Sequence, residues 1–331
     1  MELVCPAGSL PALKAAVDHG ADCVYTGFRD DTNARNFAGL NFSQADLERG
    51  VRYARDKGVR VFVAINTYPQ ATSWARWCAA VDRAAGIGAD AVILADLGLM
   101  DYAASAHPAL GIHLSVQGSA TTYEAINFYA SRFGVKRAVL PRVLTLAQVA
   151  AVLEHALPEI EVFGFGSLCV MVEGRCQLSS YVTGQGPNLC GACSPASAVR
   201  WSETPAGREV RLNGVLVDRY AAHETAGYPT LCKGRYVVNG TRGYAIEEPV
   251  SLNATALLPE LRRLGVSAVK IEGRQRSPAY VAEVTAAFRA ALDACEGSAG
   301  NADPRDTWSP RLAHLAEGQQ VTLGVYHRGW R

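Results

Sequence analysis

The sequence predicts an α/β protein whose body is a (β/α)8 barrel of the TIM type, interrupted after its seventh strand by a cysteine-bearing insertion. Three observations carry this reading. Short apolar runs alternate with amphipathic stretches through brief connections, the mark of a parallel sheet covered by helices. Eight such units suit a closed barrel better than an open doubly wound sheet. No GxGxxG follows the first strand, which weighs further against the open sheet.

In chain order, ELVCPAG reads as a buried strand. SLPALKAAVDHG follows as a helix with Ser9 as N-cap and Gly20 past its end. ADCVYTG is the second strand, and a polar loop (Arg29–Leu40) leads to a helix capped by Ser43. The strand VRVFVAINT, the helix TSWARWCAAVDRAAGIG and the strand ADAVILAD come next, then a helix from Leu97 to about Ala106. GIHLSVQ, VKRAVLPR and EIEVFGFG are strands five to seven, with TTYEAINFYASRFG and TLAQVAAVLEHAL as the helices between them. The pattern resumes with a helix over Ala254–Gly265, the eighth strand VSAVKIEG, and a helix over Pro278–Cys295 that has Ser277 as cap and Pro278 at its first position. The expected organisation is a barrel over 1–296 with the insertion at 167–248, then a linker and tail over 297–331. Within the insertion, Asn213-Gly214 and Asn239-Gly240 each sit between alternating apolar residues, the signal of a type I′ hairpin.

Composition bounds the function. The chain has 331 residues, 49% of them hydrophobic, with 32 basic against 31 acidic side chains. A net charge of +1 excludes polyanion binding driven by bulk charge. The longest apolar runs, such as Val61–Ile65 and Ala91–Ala95, fall far below the length of a membrane span. MELVCPAGSL lacks the basic and apolar regions of a signal peptide, so a soluble, cytoplasmic protein is expected.

In such a barrel the chemistry gathers at the C-terminal ends of the strands. Those ends carry Asn66, Asp96, Gln117, Arg142, Glu272 and Arg274, which are the candidate catalytic residues. The seventh end runs straight into Cys169. Five of the nine cysteines, Cys169, Cys176, Cys190, Cys193 and Cys232, fall in the insertion. Only Cys190 and Cys193 have the CxxC spacing typical of structural zinc. Four thiolates saturate a zinc ion or a 4Fe-4S cluster, and the irregular spacing favours the cluster. Peptidase signatures fail: Gly227 occupies the second histidine position of a would-be HExxH at His223-Glu224, and Gly164–Leu168 is not GxSxG. His113 lies on a strand and reads as a core or lining residue.

GFGSLCVMVEGRCQLSSY resembles a segment of the collagenase-like peptidase family: glycine–x–leucine–cysteine, six residues, a second cysteine, then a hydrophobic–Ser pair. Ser115-Val116-Gln117, KIEGR at Lys270–Arg274 and the Ser277–Val281 segment match the same family, over a stretch from the N-terminal PAGS to about residue 290. NLCGACSPAS, YPTLCKGRY, the YHRGW ending and the short length make the chain most similar to members that serve ubiquinone biosynthesis. The resemblance implies a 4Fe-4S cluster on Cys169, Cys176, Cys193 and Cys232. It implies oxygen-independent (anaerobic) hydroxylation of the aromatic ring of prenylated ubiquinone precursors, in a heterodimer with the paralogue UbiV and with the lipid-binding accessory protein UbiT. Related hydroxylases take the oxygen atom from an organic donor, with prephenate the candidate, whose carboxylates Arg142 and Arg274 are suited to hold. Other relatives act on tRNA or rRNA, and a metal-stabilised scaffold without activity is the remaining alternative. Glu173-Gly174 replaces the family's usual Ser-Gly, and Cys190 has no counterpart in the pattern.

Overall fold

The computed structural model describes residues 1–171, 175–190, 192–296 and 312–327. Seven strands come first: β1 (Glu2–Pro6), β2 (Cys23–Gly27), β3 (Arg60–Ile65), β4 (Ala91–Leu94), β5 (Gly111–Leu114), β6 (Arg137–Val139) and β7 (Glu159–Ser167). Six helices connect them: α1 (Leu10–Asp18), α2 (Gln44–Arg55), α3 (Trp74–Gly86), α4 (Leu97–Ala106), α5 (Tyr123–Phe133) and α6 (Leu146–His155). Side-chain oxygens start the helices where the sequence places them. Ser9 accepts from the Ala12 amide and Ser43 from the Asp46 amide, and Thr145 with Gln148 forms a capping box.

The chain then leaves the barrel. It forms α7 (Gln177–Thr183) and α8 (Pro187–Cys190). An antiparallel meander follows, of β8 (Val199–Thr204), β9 (Gly207–Leu212) and β10 (Val215–Tyr220), and then the hairpin of β11 (Arg235–Val238) and β12 (Thr241–Tyr244). Asn213 and Gly214 have φ of 46° and 85°, and Asn239 and Gly240 have 50° and 80°. These left-handed pairs are what the Asn-Gly dipeptides predict. β13 (Ser251–Asn253) returns antiparallel to the end of β7. After α9 (Leu258–Arg263), β14 (Ala268–Ile271) pairs in parallel with both β7 and β1 and closes the eight-stranded barrel, which α10 (Pro278–Glu296) covers. The helix expected over 254–265 is a 3₁₀ turn at Thr255–Leu257 followed by α9, with Pro259 in its first turn. β15 (Val321–Thr322) adds to β13. Of the linker and tail expected over 297–331, residues 297–311 and 328–331 lie outside the described residues.

Alternation along each strand sorts the side chains. Leu3, Val24, Val61, Val63, Val92 and Val269 join the main core. Val4, Tyr25, Phe62, Ala64, Ile93 and Ala268 form a second cluster in the barrel interior. That interior also holds ions. Arg137, 1% exposed, pairs with Glu2 at 2.6 Å and with Glu161 at 3.3 Å, and Glu161 accepts from Lys270 at 2.6 Å. His113 is buried against the Phe62 ring at 4.6 Å between centroids. Burial, with Arg137 and Lys270 nearby, holds its pKa well below the ordinary value.

Candidate functional site

Five of the six strand-end candidates meet. Asn66, Gln117, Arg142, Glu272 and Arg274 line one pocket, together with Tyr25, Arg35, Ser115 and Lys270. Asp96 does not join them: its carboxylate is the N-cap of α4, accepting from the Leu99 amide at 2.9 Å. A polar residue just past a strand serves the next helix as readily as the mouth.

The pocket walls are ordered by buried polar contacts. Asn66 accepts from the Ala34 amide at 3.1 Å and donates to Ser115 Oγ at 3.0 Å. The first of these bonds draws the loop after β2 over the mouth and brings Arg35 within 3.9 Å of Glu272. That stretch is the expected polar loop Arg29–Leu40, and Arg35 and Lys270 are the two charged wall residues that are not among the strand-end candidates. Lys270 lies within the KIEGR run, one alternation before Glu272, so strand periodicity was the available signal.

The pocket wall is rich in charge. Arg35, Arg142, Lys270, Arg274 and Glu272 all line it, and Lys270 is answered by Glu161 beneath. Burial pulls the Arg274 guanidinium down to about 10. Its Nη1 donates to Asn33 Oδ1 at 3.0 Å, and no carboxylate lies within ion-pair distance among the described residues. Burial alone would raise Glu272, but Arg35, Arg142 and a 2.9 Å hydrogen bond from Gln275 bring it below the ordinary carboxylate range. The Gln117 side chain is 5% exposed, and its buried Oε1 has no hydrogen-bond partner. A buried, unanswered amide oxygen in a pocket that Arg274 also lines suits a ligand carrying both a negative charge and a hydrogen-bond donor.

The cysteine segment leaves from this mouth. Arg142 donates to the carbonyl of Ser167, and the Ser167 amide points to Glu272 Oε2 at 3.5 Å, two residues before Cys169. Farther on, Asn188 accepts from the Tyr68 amide at 3.0 Å, and the Tyr68 hydroxyl donates to the Gln117 carbonyl at 2.8 Å. Cys176 caps α7, its Sγ taking the Ser179 amide at 3.5 Å. Cys169 and Cys193 are half-buried. Cys232 lies in a 3₁₀ turn, Leu231–Lys233, its thiol pushed up to about 12 by burial. Lys233 offsets this, and Cys169, Cys193 and Cys176 add to it. Cys232 is thus within electrostatic reach of the other three. Among the described residues no three Cys, His, Asp or Glu side chains converge on a single-ion site. Thiolates are soft donors, and four of them suit an iron–sulfur cluster by their chemistry. Glu173 and Gly174, and the side chain of Cys190, lie outside the described residues.

No helix among the described residues is long and apolar enough to cross a membrane. Comparison with known proteins gives three informative relatives. An uncharacterized protease of Methanocaldococcus jannaschii is 34% identical over 88% of this chain and 65% of its own length. The tRNA hydroxylation protein P of Escherichia coli is 30% identical over 99% of this chain and 73% of its own length. The 23S rRNA 5-hydroxycytidine C2501 synthase of Escherichia coli is 30% identical over 99% of this chain and 44% of its own length. The chain thus spans between under half and about three quarters of the length of these relatives. The model of peptidase family U32 matches residues 8–328, and the chain belongs to that family.

Proposed function

We propose that this chain is the iron–sulfur subunit of an oxygen-independent hydroxylase acting on the aromatic ring of ubiquinone precursors, a protein of the UbiU type. The observation that carries the reading is the meeting of two features at one barrel mouth: Cys232 within electrostatic reach of Cys169, Cys176 and Cys193, and a pocket that brings together Arg274, Lys270, Glu272 and the unanswered Gln117 oxygen. Cys169, Cys176, Cys193 and Cys232 would hold a 4Fe-4S cluster, which supplies electron transfer when bound. Arg142 and Arg274 pair with the carboxylates of an organic oxygen donor such as prephenate. Glu272 keeps Arg35 turned toward the mouth, and the loop carrying Arg35 limits water entry. UbiV is the expected partner subunit, UbiT delivers the prenylated phenol, and the cytoplasm is the expected compartment.

A second reading has its own support. The names of two relatives, a tRNA hydroxylation protein and an rRNA hydroxycytidine synthase, favour an RNA base as the ring that is oxidised. Both readings share the donor pocket and the cysteine centre and differ in the acceptor. The near-neutral charge of this chain supports the phenol.

The test is anaerobic purification with iron, sulfide and zinc analysis, on the native chain and on Cys176→Ala. About four irons and four sulfides per chain, with broad absorption lost in the variant, are expected. One zinc and no colour would turn the reading to a metal-stabilised scaffold. Assays with a prenylated phenol or unmodified RNA, each with UbiV and prephenate, then identify the acceptor.

A further inference from the structure

The described part of the C-terminal segment, residues 312–327, packs on the barrel and passes beside the cysteine-bearing stretches. Glu317, in this segment, is the meeting point of three stretches far apart in sequence. Its carboxylate pairs with the ammonium of Lys233, whose side chain is 4% exposed and which directly follows Cys232. The same Oε2 accepts from Ser167 Oγ at 3.0 Å, and Ser167 Oγ in turn accepts from Lys233 Nζ at 2.9 Å. Ser167 is two residues ahead of Cys169. The Glu317 amide donates to Ser251 Oγ at 2.9 Å, and Ser251 is the register partner of Ser167 in the β7–β13 pair.

The surrounding contacts fix this approach. Gly318 has φ of +61°, and a Cβ there would stand 2.3 Å from the Pro249 carbonyl oxygen, so only glycine fits beside Glu317. β15 lies in register on β13, and the Tyr326 hydroxyl donates to the Phe163 carbonyl inside the core at 2.7 Å. Gly324 packs against Leu168, the residue immediately before Cys169. The segment therefore touches the approach to Cys169 from one side and the approach to Cys232 from another, through one carboxylate.

We propose that Glu317 is a positioning residue for the cysteine centre: by clamping Lys233 to Ser167 it fixes the separation of Cys169 and Cys232. The proposal rests on the reading that these cysteines hold a metal centre. A partner held one bond away from a ligand-bearing segment acts as outer-shell partners do elsewhere, where their loss weakens metal retention by about 10–100-fold.

The experiment measures release of the centre rather than turnover. Native chain, Glu317→Gln and Glu317→Ala are purified anaerobically, and the decay of visible absorption is followed under a fixed excess of chelator. Thermal unfolding of each metal-free protein is recorded in parallel. Release at least about tenfold faster in Glu317→Ala, intermediate in Glu317→Gln, with the metal-free unfolding midpoints alike, is the expected result. Should the alanine variant fail to fold, the glutamine variant, which keeps the shape and loses the charge, decides alone. Native release rates in both variants overturn the proposal. Faster release that only tracks a lower metal-free midpoint also overturns it, since that is general destabilisation. A native chain that binds no metal fails the underlying reading instead, and is recognised before any variant is compared.

Discussion

The guanidinium of Arg175, on the insertion, lies 4.3 Å from the ring centre of Tyr68, on the rim of the barrel. Tyr68 also takes Asn188 of α8 on its amide and gives its hydroxyl to the Gln117 carbonyl. Through its ring and its backbone amide, Tyr68 thus ties both flanks of the Cys176 helix to the pocket wall, and only the ring's share is lost on truncation. Tyr68→Ala removes the stacking, worth about 0.5–1 kcal/mol at an exposed site, and one hydrogen bond of about 1 kcal/mol. The expected outcome is faster limited proteolysis and amide exchange within 175–190, with the barrel's own exchange unchanged. Equal protection in variant and native chain would show that the insertion is held elsewhere.

Gln117 and Arg274 are expected to trade stability for binding. Gln117 buries an amide oxygen without a partner, and Arg274 buries a guanidinium whose pKa is drawn down by burial to about 10. An unsatisfied buried polar atom costs about 1–3 kcal/mol. Gln117→Leu should therefore leave the ligand-free chain as stable or more stable by roughly 1 kcal/mol, while weakening the binding of a carboxylate ligand. Urea unfolding with and without added prephenate reads both. Arg274→Met should behave alike without ligand and abolish the ligand's stabilising effect. Destabilisation by either change in the ligand-free chain would make the residue structural.

The ionic layer beneath the pocket should respond in the opposite sense. Glu161 is 1% exposed and accepts from both Lys270 and Arg137. Glu161→Gln leaves Lys270 buried without its counter-charge, a change that costs about 3–5 kcal/mol in comparable pairs. Replacing both partners, Glu161→Leu with Lys270→Met, should recover much of that loss. Denaturant midpoints of Glu161→Gln, Glu161→Leu, Lys270→Met and the double variant against the native chain check the order, and an additive double variant would remove the pairing from the account.

Much of this architecture was legible in the sequence because it is local. Alternation marks Val61, Val63 and Ile65 as one face of a strand, Ser9 and Thr145 sit where helices start, and Asn-Gly pairs turn hairpins. The mouth residues were legible for a related reason, since a barrel sends every strand end to one face. What was hidden is set by distance along the chain. Asn33 meets Arg274 across 241 positions, and Lys233 meets Glu317 across 84, contacts that no spacing rule encodes. Asp96 fell on the wrong side of an ambiguity that only coordinates resolve, because a carboxylate after a strand satisfies an amide three residues on before it faces any ligand.

The last expectation concerns acid. Glu272 is buried, which by itself raises its pKa, yet Arg35, Arg142 and the hydrogen bond from Gln275 leave it below the ordinary value. In the unfolded chain the same carboxyl titrates near its reference value of about 4.3. A group lower in the folded than in the unfolded state adds stability above the unfolded pKa, and that share is lost as pH falls through the folded one. Glu2, Asp30 and Glu224 are also held low, so the acid slope of the native chain is shared among several groups. The informative quantity is the difference between native chain and Glu272→Gln. The native chain should hold an advantage at pH 7 that shrinks once the pH drops below about 4.3. Urea midpoints of both proteins at pH 7, 5, 4 and 3 measure it. Parallel curves across that range would mean that the Glu272 charge does not hold the arginines at the mouth.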